Sequence, residues 1–310
     1  MTTVITNCSK RKRVPLDDDL HARDLPAGLT TEVARVWTER LGSAASLHRA
    51  STVYGGRAFV EASAAAMALD ADLLIVSAGL GLVNASTAIP AYSLTTATRD
   101  PDSVMPKIDG SSAAWWDALE AQSPFHSNAL DDSEGAILVA LPAGYLQMVA
   151  STWASWPEER LGRLRLFTKE GVADLPEALA HARMPYDDRL DAVGVGWAGT
   201  QSDFAQRALG HFATLPPGAS IDADRAAVSA ALEGCEARVT PVRTRATDAE
   251  IQAAIEAEWD VVRGRSGLML RHLRDTRGLA CEQSRFAGLF RETAKARKAR
   301  HAKVEEGSLL

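Results

Sequence analysis

The stretch Leu73-Leu-Ile-Val-Ser-Ala-Gly-Leu-Gly-Leu-Val83 decides the predicted fold. Its first half is a run of Leu, Ile and Val without polar alternation, which is typical of a strand that helices cover on both faces of a parallel sheet. Ser77, Gly79 and Gly81 follow at the predicted carboxyl end, where open α/β sheets form their ligand crevices. The stretch lacks the third glycine of a dinucleotide-binding fingerprint, and no helix pattern opens directly after it. We therefore expect a buried parallel strand that runs into a glycine turn at a binding site.

Helical patterns alternate with further apolar strand patterns at residues 2–7, 136–141, 163–167 and 192–197. This alternation predicts a three-layer α/β domain with a parallel sheet and right-handed crossovers. Around residue 215 the pattern becomes almost entirely helical, with one further strand considered at 237–242. We therefore predict an α/β catalytic domain at 1–215 and a helical module with a basic tail at 216–310.

Composition and cysteine spacing limit the class of protein. The chain has 310 residues, of which 46% are hydrophobic, and this proportion suits a folded globular protein. Its three cysteines show no CxxC spacing, so neither a disulfide framework nor a local four-cysteine zinc site is expected. No apolar run reaches the roughly 18 residues that a membrane span needs. The expectation is a cytoplasmic protein with reduced thiols, no membrane association and no obligate protein partner.

The net charge of −6 conceals an uneven distribution of charge. Residues 263–303 carry 12 Lys and Arg against three acids, or +9, while the rest of the chain carries −15. A localised cationic segment is the electrostatic footprint of phosphate binding, although a solvated basic helix produces the same count. Within it, helical patterns at 268–273 and 280–303 flank a glycine-containing turn. That outline is typical of a helix-turn-helix, and also of any antiparallel helix pair.

Polar and glycine residues follow the predicted strands or precede helices at several places, where they would line a pocket. The polar loop after the first strand also contains lysines that could neutralise a phosphate. The long proline-punctuated segment 84–112 is of the kind that often forms a functional lid. The candidate substrate-binding residues are Cys8, Ser9, Tyr54, Arg57, Ser77, Gly79, Gly81, Tyr92, Gly144, Tyr145, Thr200 and Gln201.

The motifs that are missing disfavour several enzyme classes. The chain has no GxxxxGK[ST] phosphate loop, no GxSxG elbow and no HExxH or paired-histidine site, so no metal or cofactor is expected. Small polar groups, aromatic residues and one carboxylate suit cleavage of a nucleoside's glycosidic bond. Asn7 would position water or the sugar, and Asp203 would stabilise cationic charge. Asp203 is also the kind of first-turn carboxylate that a helix dipole stabilises, and Cys8 lacks a recognisable histidine partner for nucleophilic attack.

Three motifs together resemble an uncharacterised bacterial family with a C-S-K-x-K first loop and an SA-x-x-GL turn. They are Cys8-Ser-Lys-Arg-Lys12, Ser77–Val83 followed by Pro90-Ala-Tyr92, and Gly199–Arg207. That family is distantly similar to uracil-DNA-glycosylase-like proteins, and the chain looks like an anti-phage DNA glycosylase acting on glucosylated cytosine. The resemblance covers residues 1–215 and 268–290. No GQDPYH-like motif follows the first strand, and no second motif with histidine is present.

The resemblance implies a uracil-DNA-glycosylase-like fold and a hydrolase that flips a modified base out of double-stranded phage DNA. Hydrolysis of the glycosidic bond would leave an abasic site. Ser77, Gly79 and Tyr145 would shape the base pocket. Two alternatives stay open: a non-catalytic DNA-binding or regulatory protein, and an enzyme that processes free nucleosides or deazapurines. The candidate DNA-binding residues are Lys10, Lys12, Arg271, Arg274, Glu282, Gln283 and Arg285.

Overall fold

The computed structural model describes residues 1–131, 133–169, 171, 174–237 and 243–307, the last seven of these by their backbone alone. It divides into two compact units, Met1–Arg238 and Val239–Leu310. Each unit has its own apolar core among the described residues.

The described strands are Thr3–Asn7 (β1), His48–Arg49 (β2), Asp72–Ser77 (β3), Gly81–Asn84 (β4), Ala88–Ile89 (β5), Ile137–Ala140 (β6), Leu164–Phe167 (β7), Thr244–Arg245 (β8) and Leu279–Ala280 (β9). The helices of the first unit are Thr30–Gly42 (α1), Ala50–Val53 (α2), Arg57–Ala68 (α3), Ser112–Gln122 (α4), Ala143–Ala154 (α5), Glu158–Gly162 (α6), Glu177–Ala180 (α7), Leu190–Val193 (α8), Phe204–Phe212 (α9) and Ile221–Ala231 (α10). Those of the second unit are Asp248–Ala257 (α11), Ser266–Asp275 (α12) and Gln283–Gly307 (α13). Short 3-10 helical turns lie at Ala22–Asp24, Met105–Lys107 and Gln201–Asp203.

The first unit is built on a five-stranded sheet with the order β4-β3-β1-β6-β7. β1 pairs in parallel with β3 and β6, β6 pairs in parallel with β7, and β4 is antiparallel to β3. Neighbouring residues of β1 enter different cores, since Ile5 packs with Trp37 and Trp115 while Val4 packs with Ala62 and the side chains of α9. Apolar residues therefore cover both faces of the sheet, as the unbroken Leu, Ile and Val runs predict. The prediction of a mostly parallel α/β sheet is confirmed.

The stretch that decided the predicted fold forms two strands. Its first half is the parallel strand β3, as expected, but Gly81 turns the chain back into the antiparallel strand β4. Gly81 has a φ of +78°, a left-handed conformation that glycine adopts without a steric penalty. The predicted glycine turn is therefore present, and it closes a tight hairpin to a second strand that the sequence analysis does not predict.

The prediction of a fifth strand at 192–197 is wrong. Residues 190–193 form the short helix α8, and no strand follows them up to residue 197. Val195 lies between Gly194 and Gly196 and is fully exposed, so its side chain finds no sheet face to pack on. Of the strand considered at 237–242, residues 238–242 lie outside the described residues.

Helix α10 belongs to the first unit, which therefore extends beyond the expected boundary at residue 215. Val228 and Leu232 are fully buried in the same core as Leu209 of α9. The Nε atom of Arg165 in β7 donates to Asp224 of α10 at 2.6 Å, and both side chains are buried. Such a pair depends on good geometry, because removing two charges from water is costly.

The second unit is a small helical unit. α11, α12 and α13 surround a core that contains Ile251, Ile255, Leu273, Phe286 and Phe290. The two-residue strands β8 and β9 pair in parallel. Within the described ranges, none of the helices of either unit is both long enough and apolar enough to cross a membrane.

We predict that Gly79→Ala destabilises the first unit by about 1–3 kcal/mol through overpacking. A Cβ atom at Gly79 would stand 2.5 Å from the ring of Tyr92, whose hydroxyl is already hydrogen-bonded on two sides. Urea unfolding measures the change. The matched control is Gly42→Ala at the end of α1, where nothing lies within 4 Å and alanine favours the helix by up to about 1 kcal/mol. Equal stability of the two variants would contradict the prediction.

Candidate functional site

Two neighbouring parallel strands bring Cys8 and Tyr145 together. Cys8 follows β1, and Tyr145 lies in the first turn of α5, which follows β6. The Cys8 Sγ atom is 3.2 Å from the Tyr145 hydroxyl oxygen. Burial raises the pKa of Tyr145 well above its ordinary value, and the nearby Cys8 raises it further. The Tyr145 hydroxyl therefore stays protonated at neutral pH and has a proton to donate.

A chain of buried hydroxyl groups lies beside this pair. The hydroxyl oxygens of Tyr54 and Tyr92 are 3.0 Å apart, and Tyr92 is 2.5 Å from the Ser77 Oγ atom. Ser77 Oγ also accepts the backbone N–H of Leu80 at 3.0 Å. Burial raises the pKa of both tyrosines, so both remain neutral. Sequence analysis predicted Tyr54, Ser77 and Tyr92 as binding residues, and the structure joins them in one network that is closed to solvent.

Lys12 places its amine against the faces of two of these aromatic rings. The Nζ atom is 5.0 Å from the ring centre of Tyr54 and 4.7 Å from that of Tyr92. It donates to the backbone oxygen of Ser9 at 2.6 Å. Burial lowers the pKa of Lys12, and the proximity of Cys8 opposes this shift. In the part of the chain that the structure describes, Lys12 forms no ion pair.

Cys8, Lys12 and Tyr145 line one small cavity. Its volume is about 50 Å³, and Ser93, Lys10 and Asp100 also contribute to its walls. Lys10 and Asp100 form an ion pair in which the lysine side chain is 73% exposed. A water molecule takes about 30 Å³ in the liquid, so this cavity holds one or two molecules of that size.

Asn7 is held beside the cavity by a residue that sequence analysis missed. The Nε2 atom of Gln206 in α9 donates to the Asn7 side-chain oxygen and to the backbone oxygen of Ala140, both at 2.8 Å. Asn7 Nδ2 donates to the backbone oxygen of Cys8 at 2.7 Å. Gln206 is fully buried, and its Oε1 atom has no partner among the described residues. The one sequence signal was a glutamine in a helix whose other residues are mostly apolar.

Asp203 is engaged in a buried ion pair at the start of α9. One of its carboxylate oxygens accepts the backbone N–H of Thr200 at 2.8 Å and Arg207 Nε at 2.9 Å. The other oxygen is 3.7 Å from Arg57. Arg207, which sequence analysis also missed, is 1% exposed and donates to Asp191 at 2.6 Å as well. This arrangement favours the structural interpretation of Asp203, as a carboxylate at the start of the helix, and its role as a charge stabiliser stays a prediction.

The other candidate residues of the first unit differ in how accessible they are. Gly79 and Gly81 are buried in the β3–β4 hairpin, where Gly79 accepts a hydrogen bond from Trp37 at 2.7 Å. Thr200, Gln201 and Gly144 are exposed. Arg57 donates to the backbone oxygen of Ala198 at 3.1 Å, and Ser9 Oγ accepts the backbone N–H of Gly55 at 3.1 Å. The predicted residues thus form a cluster at the Cys8 cavity and a second cluster around Asp203, and α9 carries residues of both.

In the second unit, three of the predicted DNA-binding residues stabilise the unit itself. Arg274 donates to the backbone oxygen of Cys281 at 2.7 Å, and Arg285 forms an ion pair with Asp248. Glu282 accepts hydrogen bonds from Ser284 and the Arg285 backbone, and these bonds lower its pKa to about 2. Gln283 and Arg271 are exposed, and within the described ranges Arg271 has no ion pair.

Comparisons with known proteins give no relative from which a function can be transferred. No protein-family model, curated protein or solved structure matches the chain. Among the described residues, no group of three or more His, Cys, Asp or Glu side chains is arranged to hold a metal ion.

We predict that Asp203→Asn destabilises the first unit by about 3–5 kcal/mol, because the buried Arg207 loses a charged partner. The loss should lie at the lower end of this range, since Asp191 still contacts Arg207. Urea unfolding measures it. Asp188→Asn is the control, because its pair with Lys169 is partly exposed and worth about 0–1 kcal/mol. An Asp203→Asn protein as stable as wild type would contradict the structural role.

Proposed function

We propose that the chain is a DNA N-glycosylase with a uracil-DNA-glycosylase-like fold. The observation that carries the proposal is the convergence of Cys8, Lys12 and Tyr145 on one cavity at the carboxyl ends of β1 and β6, with Asn7 held beside it. Open α/β sheets bind their ligands at this edge. The site combines an amide, a protonated phenol and cations, which suit a reaction that develops negative charge on a leaving base.

In this proposal Asn7 positions the attacking water or the sugar. Its side chain is fixed by Gln206 and by the Cys8 backbone, so its orientation is set before the substrate binds. Tyr145 donates a hydrogen bond to the departing base, which its raised pKa permits at neutral pH. Asp203 acts from the start of α9 on cationic charge in the sugar. Because Arg207 already balances the charge of Asp203, we expect Asn7 to contribute more than Asp203 to the reaction rate.

Entry of a nucleobase requires the rim of the cavity to open, because about 50 Å³ is too small for a base. The ion pair between Lys10 and Asp100 forms part of this rim, and Lys10 is mostly exposed. Exposed pairs contribute only about 0–1 kcal/mol. A DNA phosphate would compete with Asp100 for Lys10 and would repel the carboxylate. DNA binding would thereby loosen the segment that closes the cavity.

Helix α13 offers phosphate contacts that its own unit does not use. Arg291, Lys295 and Lys298 are exposed and four and three residues apart, so they share one helix face, which we call the α13 cationic stripe. Within the described ranges none of the three has an ion pair, whereas Arg297 and Arg300 both pair with Glu256 of α11. The stripe and Arg271 are therefore our candidates for contacts with the DNA backbone.

The resemblance to anti-phage glycosylases directs the choice of substrate. We propose double-stranded phage DNA that contains a modified cytosine, with glucosylated hydroxymethylcytosine as the first candidate and antiviral defence in the cytoplasm as the role. The reaction would leave an abasic site and would use base flipping.

We expect the wild-type protein to release the modified base from duplex DNA, as measured by mass spectrometry of free bases and by alkaline cleavage at abasic sites. Plain, uracil-containing, hydroxymethylated and glucosylated duplexes form the substrate series. Asn7→Ala should lower the rate at least a hundredfold, within the range of about 10²–10⁴ for positioned groups of this kind. Asn128→Ala, at an exposed position, is the matched control.

Intact glycosidic bonds in every duplex would refute the proposal. Retained DNA binding without product would then favour the non-catalytic alternative. Turnover of free nucleosides without DNA binding would favour the nucleoside-processing alternative.

We predict that replacing Arg291, Lys295 and Lys298 by Gln weakens DNA binding and flattens its salt dependence. Loss of three phosphate contacts should reduce the slope of log K against log salt by about 2.7. Fluorescence anisotropy with a short duplex over a salt series measures the slope. Replacing Arg297 and Arg300, which are already paired with Glu256, should leave the slope near that of wild type. Identical salt slopes for the two variants would show that the α13 cationic stripe does not contact the DNA backbone.

A further inference from the structure

Lys12 has properties that hydrolysis of a glycosidic bond does not require. Its amine lines the cavity next to Cys8 and Tyr145 and rests on the faces of Tyr54 and Tyr92. An ammonium group that is partly removed from water and serves only as a structural cation is normally paired with a carboxylate. Lys12 is half-buried, donates to a single backbone oxygen, that of Ser9, and has no ion pair among the described residues.

We propose that Lys12 is an amine nucleophile that forms an imine with the aldehyde of an abasic deoxyribose, which gives the protein a DNA lyase activity. The step rests on the proposed function for its supply of abasic sites. It extends that function from release of the base to cleavage of the strand.

The surroundings of Lys12 favour the neutral amine that such an attack needs. Burial lowers its pKa, and the aromatic faces beside it carry no full negative charge, since burial keeps both tyrosines protonated. Cys8 is the group that opposes the shift. Of the other charged groups at the cavity, Asp100 is already paired with Lys10. A lysine amine that is desolvated in this way is an established type of nucleophile toward carbonyl carbon.

The size of the cavity also fits an aldehyde. Its volume of about 50 Å³ is far below the roughly 300 Å³ at which drug-sized ligand pockets begin. An aldehyde group needs about as much room as one or two water molecules, each of about 30 Å³. A sugar that has already lost its base can therefore bring its C1′ atom to Lys12 with less rearrangement than an intact nucleotide.

The chemistry balances without an oxidant or a reductant. The Lys12 Nζ lone pair attacks C1′, and the resulting carbinolamine takes a proton from water and loses water to give a protonated imine. Water then takes the C2′ proton, the electron pair of that C–H bond forms a C2′=C3′ double bond, and the 3′ phosphate leaves with the C3′–O bond electrons. Hydrolysis of the unsaturated imine consumes one water, releases the sugar fragment on the 5′ strand and restores the Lys12 amine.

Borohydride trapping on a duplex that already carries one abasic site tests the proposal. Wild-type protein should form a covalent protein–DNA adduct, and peptide mass spectrometry should place the reduced link on Lys12. Lys12→Arg keeps the positive charge but supplies no comparable nucleophile, so the adduct yield should fall at least tenfold. Lys107→Met, whose hydrogen bonds within the described ranges are made by backbone atoms alone, should trap like wild type.

No adduct with wild-type protein, or an adduct mapped to another lysine, overturns the proposal without relying on any variant. Undiminished trapping by Lys12→Arg overturns it as well. The preformed abasic site separates this inference from the proposed function. Base release without an adduct would refute the imine alone, while an adduct without base release would refute the glycosylase and leave the imine standing.

Discussion

The central position of β1 is the constraint on which the rest of the site depends. β1 is hydrogen-bonded on both sides, with Thr6 opposite Ile75 of β3 and opposite Ala140 of β6. Its apolar residues face both cores, so a shift in register by one residue would reverse every side chain and expose them. The chain must therefore leave the sheet at Cys8, between the ends of two neighbouring strands. The contact of Cys8 with Tyr145 follows from this exit point.

Gln206 connects that exit to the helix layer. Its amide reaches β1 through Asn7 and β6 through Ala140, so α9 is tied to the two strands that carry the cavity. The price is a buried Oε1 acceptor without a partner among the described residues, which costs about 1–3 kcal/mol. The same helix follows Asp203, whose side chain accepts the Thr200 backbone N–H in the preceding 3-10 turn and forms an ion pair with Arg207 in the first turn of α9. The orientation of Asn7 thus depends on how α9 is anchored.

Features that depend on residues close in sequence could be predicted, and contacts between segments distant in sequence could not. Unbroken apolar runs specified β3 and β6, and a short β-branched segment specified β1, because burial on both faces leaves a local signal. Parallel strands share one edge, so the sequence also indicated that Cys8 and Tyr145 lie near each other. The contact of the Lys12 amine with the rings of Tyr54 and Tyr92 joins three segments distant in sequence, and no local pattern encodes it. The segment 192–197 contains apolar residues but forms no strand, because no neighbouring strand pairs with it in the described structure.

Charge pairing inside the second unit determines how an acidic chain could bind DNA. Arg285, Arg297 and Arg300 lie within the basic segment but pair with Asp248 or Glu256 of α11, which reduces the unbalanced charge. Among the described residues, three cations without an ion pair, Arg291, Lys295 and Lys298, share one face of α13. At physiological ionic strength charges act over a screening length of about 8 Å, so a phosphate responds to nearby side chains and little to the net charge of the chain. In the proposed function, contacts with DNA phosphates would therefore depend on the local arrangement of cations more than on the negative total charge.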